Sequence, residues 1–275
     1  MINQAEAEKN RDRRFAGRII HAGSGEDGHS FRFYPAGEET RPVYIDIHGG
    51  GMCWGAMENA DLLARMMNEQ LGIHVLAPDY PLVPEAEYPE QIEYIYGTIL
   101  EIVRRAEEYR IDPDRMIIGG RSAGGNLAAA ITMLSARRQE FRFIGQILDH
   151  PWLDLCGKIS WEQRGGDQRI LSETTMKTLA LGYAPPEKQA EMTCTPLNAP
   201  HEVLSALPPA VIQTCGLDPM RPEGAAYAEM LKKAGVPVLE HCFPDVPHGF
   251  SEEDDENGQA GRQWIVDAVR RMGWA

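Results

Sequence analysis

Two kinds of segment alternate along this chain: short apolar runs, and longer stretches whose apolar residues recur every three or four positions. Pro42 to Ile47, Ile73 to Pro78, Arg115 to Gly119, Phe143 to Leu148, Ala210 to Cys215 and Val236 to Phe243 are β-branched-rich with little polar alternation, which predicts strands buried on both faces. Asn59 to Leu71, Glu90 to Tyr109, Ala123 to Arg137, Pro222 to Ala234 and Gln259 to Met272 carry helical spacing. Strand followed by helix, repeated, predicts a mostly parallel sheet covered by helices on both faces. Arg18 to His21 and Phe31 to Tyr34 read as a preceding hairpin, and Asp79 to Pro89 and Asp112-Pro113-Asp114 as loop and turn.

The alternation stops at Pro151 and resumes only after Leu207. This stretch shows no strand, only a helical part near Ser172 to Tyr183, and it is too long for a plain connection, so it predicts an inserted lid. Residues 1 to about 18 mix charges with few apolar positions, Phe15 being the main anchor. The expected organisation is one domain over 1–275, with 43% hydrophobic residues to build its core.

Charge narrows the function. A formal net charge of -14 repels phosphates and anionic surfaces, which argues against a nucleic-acid partner. Five scattered cysteines without a C-x-x-C pair argue against a disulfide framework or a zinc site. The N-terminus lacks an apolar signal core and no apolar run reaches membrane-span length, so a cytoplasmic protein is expected. Gly23 to Gly28 matches dinucleotide-loop spacing, but a strand-like segment follows it and Glu26 and Asp27 would repel a pyrophosphate; it reads as a turn.

The candidate chemistry centres on Gly120-Arg121-Ser122-Ala123-Gly124, a G-x-S-x-G pattern between a predicted strand and a predicted helix. Small flanking residues allow a turn tight enough to lift one serine hydroxyl out of the sheet. Such a serine needs a base, an acid and oxyanion donors. His248 and Asp218 follow the last two predicted strands, whose C-terminal ends share one edge with the serine turn in a parallel sheet. Gly50 and Gly51, with the amide of Ala123, are the expected oxyanion donors. Asp245 competes with Asp218 but lies only three residues from His248, too near to reach its far nitrogen easily.

Taken together, His48-Gly49-Gly50-Gly51, Asp79-Tyr80-Pro81-Leu82-Val83-Pro84-Glu85, Gly120 to Asn126, Gly216-Leu217-Asp218-Pro219 and His248-Gly249-Phe250 resemble the hormone-sensitive-lipase-like (bacterial family IV) carboxylesterases of the α/β-hydrolase superfamily, from about Arg32 to the C-terminus. The resemblance implies an α/β-hydrolase fold, hydrolysis of short-chain acyl esters without cofactor or metal, and a cap built from about 1–18 and 151–207. The chain departs from the family's pattern at Arg121, where an acidic residue is usual, and in its short N-terminal cap segment.

Arg121 is expected to pair with a nearby acid, Asp149-His150 to close a strand end, His48 to steady the glycine loop, and the acids from Glu252 to Glu256 to face a helix dipole. Met52, Trp54, Met176, Leu179, Tyr183, Met220 and Phe250 are candidates to line the substrate pocket. The same machinery also suits an aryl formamide or an acetylated sugar, and the fold admits a non-catalytic small-molecule receptor. An edge strand at Val236 to Phe243 would allow a homodimer.

Overall fold

Strands that read as unbroken apolar runs need cover on both faces, and the computed structural model of the chain, which describes residues 18–22, 28–167, 169 and 171–275, supplies it. Among the described residues the sheet has eight strands in the order β1 (Arg18–Ala22), β2 (His29–Tyr34), β4 (His74–Pro78), β3 (Arg41–Ile47), β5 (Ile111–Arg121), β6 (Gly145–Asp149), β7 (Ala210–Cys215) and β8 (Val238–Phe243). From β4 to β8 every pairing is parallel; β1 and β2 are antiparallel additions at one edge.

Side chains alternate between two cores, as the two-residue strand period requires. Val43, Ile45 and Ile47 of β3 face a core shared with helices α2 (Glu90–Arg104) and α4 (Ala123–Arg138), while Tyr44 between them faces α1 (Asp61–Leu71). Helix α8 (Arg221–Lys233) joins the first layer and α9 (Glu256–Arg271) the second. Each fully buried aliphatic side chain in these layers contributes roughly 1.5–3 kcal/mol, so both faces hold the sheet.

Local departures from the sequence reading have local causes. Asp112-Pro113-Asp114 does turn, but as a bulge inside β5: pairing jumps from Arg41↔Ile111 to Val43↔Met116, and the Asp114 N–H donates to Asp112 Oδ1 at 3.0 Å. The helix after Glu90 breaks at Arg105 and continues as a short turn, α3 (Ala106–Tyr109). The last strand begins at Val238 because the N–H of Val236 is taken by Leu231 at the end of α8. Helix α9 starts three residues early because Asp255 caps it, accepting from the Gly258 N–H at 2.7 Å.

Among the described residues of the segment 151–207 there is no strand. The segment carries α5 (Trp161–Arg164), α6 (Glu173–Tyr183), capped by Ser172, and α7 (His201–Leu204). Polar ties hold it down: Asn126 Nδ2 donates to the carbonyls of Trp152 and Cys194, both at 2.9 Å, and buried Arg164 pairs with Asp154 and with Glu223 of α8. The turn expected at Gly23 to Gly28 and the N-terminal cap element expected over 1–18 lie, but for Arg18 and Gly28, outside the described residues. No helix among the described residues is long and apolar enough to cross a membrane.

Candidate active site

Strand β5 runs directly into Ser122, whose φ of 54° and ψ of -117° lie where a residue with a side chain is strained. The flanking glycines are needed by contact: a Cβ on Gly120 would lie 2.4 Å from the Gly124 carbonyl oxygen, and one on Gly124 would lie 2.1 Å from that of Ile47. Neighbours pin the turn. The Ser122 N–H donates to the Asp149 carbonyl, and the Ser122 carbonyl accepts from the Trp152 N–H, both at 3.0 Å. The side chain therefore rises from the sheet edge at the start of α4.

The ends of β7 and β8 deliver two more side chains to that edge. His248 Nε2 lies 2.9 Å from Ser122 Oγ, and His248 Nδ1 lies 2.7 Å from Asp218 Oδ2. The second Asp218 oxygen accepts from the Met220 N–H at 2.8 Å, which fixes the carboxylate plane. Asp245 is exposed, and the imidazole nitrogen it would need is already engaged by Asp218.

Facing these groups is the turn after β3. Gly50 and Gly51 hold φ of 104° and 60°, and the Gly50 carbonyl accepts from the amides of Cys53 and Trp54. The Ala123 amide, at the first position of α4, has no acceptor within its helix. His48 steadies this turn: its ring stacks on Tyr80 with centroids 4.2 Å apart, and its Nδ1 is 2.7 Å from the Gly49 carbonyl. Burial lowers its pKa to about 4, so it is neutral at pH 7.

A cavity of about 140 Å³ lies between the glycine turn and Ser122 and His248, walled by Trp54, Trp152, Leu171, Leu179, Met220 and Glu252. Of the seven pocket candidates, Trp54, Leu179 and Met220 are there. Met52 is buried in the core, and Tyr183 packs edge-on against Tyr88. Met176 lines a separate cleft beside Trp161, and Phe250 packs on Phe243 with Cys215 and Val246. Met176, Leu179 and Tyr183 share the buried face of α6, but it is Leu179 that meets Gly51. Trp152 was foreshadowed only by its position just past a strand end, Glu252 only by the acidic run, and Leu171 by nothing in the pattern.

Beneath the site is a buried polar layer. Arg121 Nη1 lies 3.1 Å from both Asp46 oxygens, and although burial opposes its charge, Asp46 and Glu252 keep the guanidinium protonated. His150 Nδ1 lies 2.8 Å from Asp149 Oδ1, and Asp149 also accepts from Gln213 and Ser251. Among the described residues, no group of three or more His, Cys, Asp or Glu side chains is placed to hold a metal ion.

A family model described as the alpha/beta hydrolase fold matches residues 44–252. Carboxylesterase NlhH of Mycobacterium tuberculosis is 32% identical over 218 residues, covering 78% of this chain and 68% of that protein. Carboxylic ester hydrolase LipN of the same organism is 31% identical over 249 residues; the match covers 86% of this chain but only 65% of LipN, just under two thirds of its length. The hyperthermophilic esterase of the archaeon Pyrobaculum calidifontis superposes with a TM-score of 0.88 at 27% identity, covering 99% of this chain and 89% of that one. With sheet order, serine turn and matched span in agreement, the chain belongs to the α/β-hydrolase-fold family, in its hormone-sensitive-lipase-like branch.

Proposed function

We propose that the protein is a serine carboxylesterase for small acyl esters. Ser122 attacks the ester carbonyl, His248 takes the hydroxyl proton and returns it to the leaving alcohol, and Asp218 holds the imidazole and stabilises its charged form. The amides of Gly50, Gly51 and Ala123 receive the oxyanion of the tetrahedral intermediate, and water admitted after the alcohol leaves frees the acid. The observation that carries this reading is the unbroken hydrogen-bonded series from Asp218 through His248 to Ser122, opposite a glycine turn. The names of the relatives point the same way.

Cavity size supports a short acyl or alcohol group, since about 140 Å³ is well below the roughly 300 Å³ at which drug-sized pockets begin. We read 151–207 as the cap, because α6 supplies Leu179 to the wall over Gly51. The complete series from Asp218 through His248 to Ser122 favours an enzyme over a non-catalytic receptor. Hydrolysis of p-nitrophenyl acetate and butyrate tests the proposal. The wild type should turn both over, and Ser122→Ala should lower kcat by at least about 10⁴-fold; unchanged turnover by that variant refutes the assignment. Ratios of kcat/KM across esters, an aryl formamide and acetylated sugars then identify the preferred class.

A further inference from the structure

Directly against His248 lies a second histidine that the proposed chemistry does not use. The His150 and His248 rings meet at 81° with centroids 4.6 Å apart, and the His150 side chain is fully buried. Backbone geometry holds it there: His150 has φ of 37°, and its N–H donates to the Gln213 carbonyl at 2.7 Å. We propose that the buried Asp149–His150 pair is a positioning unit for His248, and that the charge on His150 sets the lower end of the pH range in which His248 acts as base. This rests on the esterase reading above.

The surroundings favour a charged pair over a neutral one. Asp149 Oδ1 accepts from His150 Nδ1 and Gln213 Nε2, both at 2.8 Å, and Oδ2 accepts from Ser251 Oγ at 2.5 Å. Three donors on one carboxylate hold the proton off it, although burial works the other way. Burial likewise opposes charge on His150, but the adjacent carboxylate outweighs it. The other groups bearing on the pair are few. From β7 comes Cys215, whose thiol burial pushes up to about 11 and so keeps neutral; Asp218 lies beyond it. From β5 comes Arg121, from the turn after β8 come His248 and Glu252, and from α9 comes Arg262, which donates to the Ser251 carbonyl at 2.6 Å.

A cation on His150 disfavours a second cation on the ring touching it. Packing by the same ring limits rotation of His248 away from Ser122.

The test is the pH profile of kcat/KM for p-nitrophenyl acetate in His150→Gln, whose side-chain amide can still donate to Asp149. The acidic limb should move up by roughly one pH unit, with the alkaline plateau reduced less than about 10-fold. An unmoved limb overturns the proposal, and a merely structural role would lower the plateau without shifting the limb. Nitrogen-15 NMR of the unaltered protein serves where the variant fails to fold. His150 should remain protonated on both ring nitrogens while His248 titrates; a neutral His150 throughout that range overturns the inference. The NMR readout does not depend on turnover, so it separates this proposal from the esterase reading, which fails instead if Ser122→Ala leaves hydrolysis intact.

Discussion

Two aspartate–histidine pairs stand side by side at one edge of the sheet, and they differ in almost everything except their bond. In one, residues adjacent in sequence meet at 2.8 Å; in the other, residues thirty apart meet at 2.7 Å. Asp149–His150 is sealed, its ring fully buried against Cys215 and His248. His248 leaves its ring partly open and turns its Nε2 toward Ser122 and a cavity. The couple is the same pair of groups twice; contact with a serine hydroxyl and a cavity separates the proposed base from the buried ring. A third histidine, His48, makes the same point from the other side: buried without a carboxylate, it stays neutral and serves only to shape the glycine turn.

Exchanging the acids gives the largest effect expected from this comparison. Asp218→Asn should lower kcat by about 10³–10⁴-fold with little loss of stability, because the amide still fits but no longer holds the correct imidazole tautomer. Asp149→Asn should do the reverse: activity within about 10-fold, but a loss of roughly 3–5 kcal/mol, since it strips the buried His150 ring of its carboxylate partner. Steady-state kinetics and urea unfolding of both variants read the two quantities; equal kinetic penalties would erase the distinction drawn here.

His48 predicts an intermediate effect with a definite sign. Its folded pKa of about 4 lies below the ordinary 6.5, so between those values the unfolded chain binds more protons. The stability this histidine contributes is fully present above about pH 6.5 and is lost as pH falls toward 4, a total of roughly 3 kcal/mol. His48→Gln should flatten that part of the unfolding free energy between pH 6.5 and 4.5. A slope identical to wild type would mean that His48 is not the group responsible.

The smallest effect belongs to the cavity wall. Leu179→Ala removes the side chain nearest Gly51 and should raise kcat/KM for p-nitrophenyl hexanoate relative to the acetate by about 4- to 15-fold, one to two methylenes at about 0.8 kcal/mol each. An unchanged ratio would place the acyl group elsewhere in the cavity.

Legibility in the sequence followed locality. Ala210 to Cys215 matches β7 end for end, because a buried parallel strand bounded by prolines and a glycine is written in its own residues. Ser172 to Tyr183 was legible for the same reason, a serine cap followed by apolar helical spacing. The pocket was not. Met52, Tyr183 and Phe250 have the composition of a pocket wall, yet each packs elsewhere in the interior, and Met176 lines a different cleft, while Trp152 reaches the cavity from the loop after β6 and Glu252 from the short helical turn Phe250–Glu252. An apolar side chain is suited equally to a core and to a cavity wall, so residue type cannot choose between them.

What the sequence by itself determined is the order and kind of the elements, the glycines that a strained serine turn requires, and the side chains able to move a proton. Those depend on steric and hydrophobic preferences acting over a few residues. Only the tertiary structure decided that Arg121 pairs with Asp46, that His150 lies against the proposed base, and which apolar side chains wall the cavity. Such contacts are set by which strand ends lie side by side and how each loop leaves them, distances that no short stretch of chain contains.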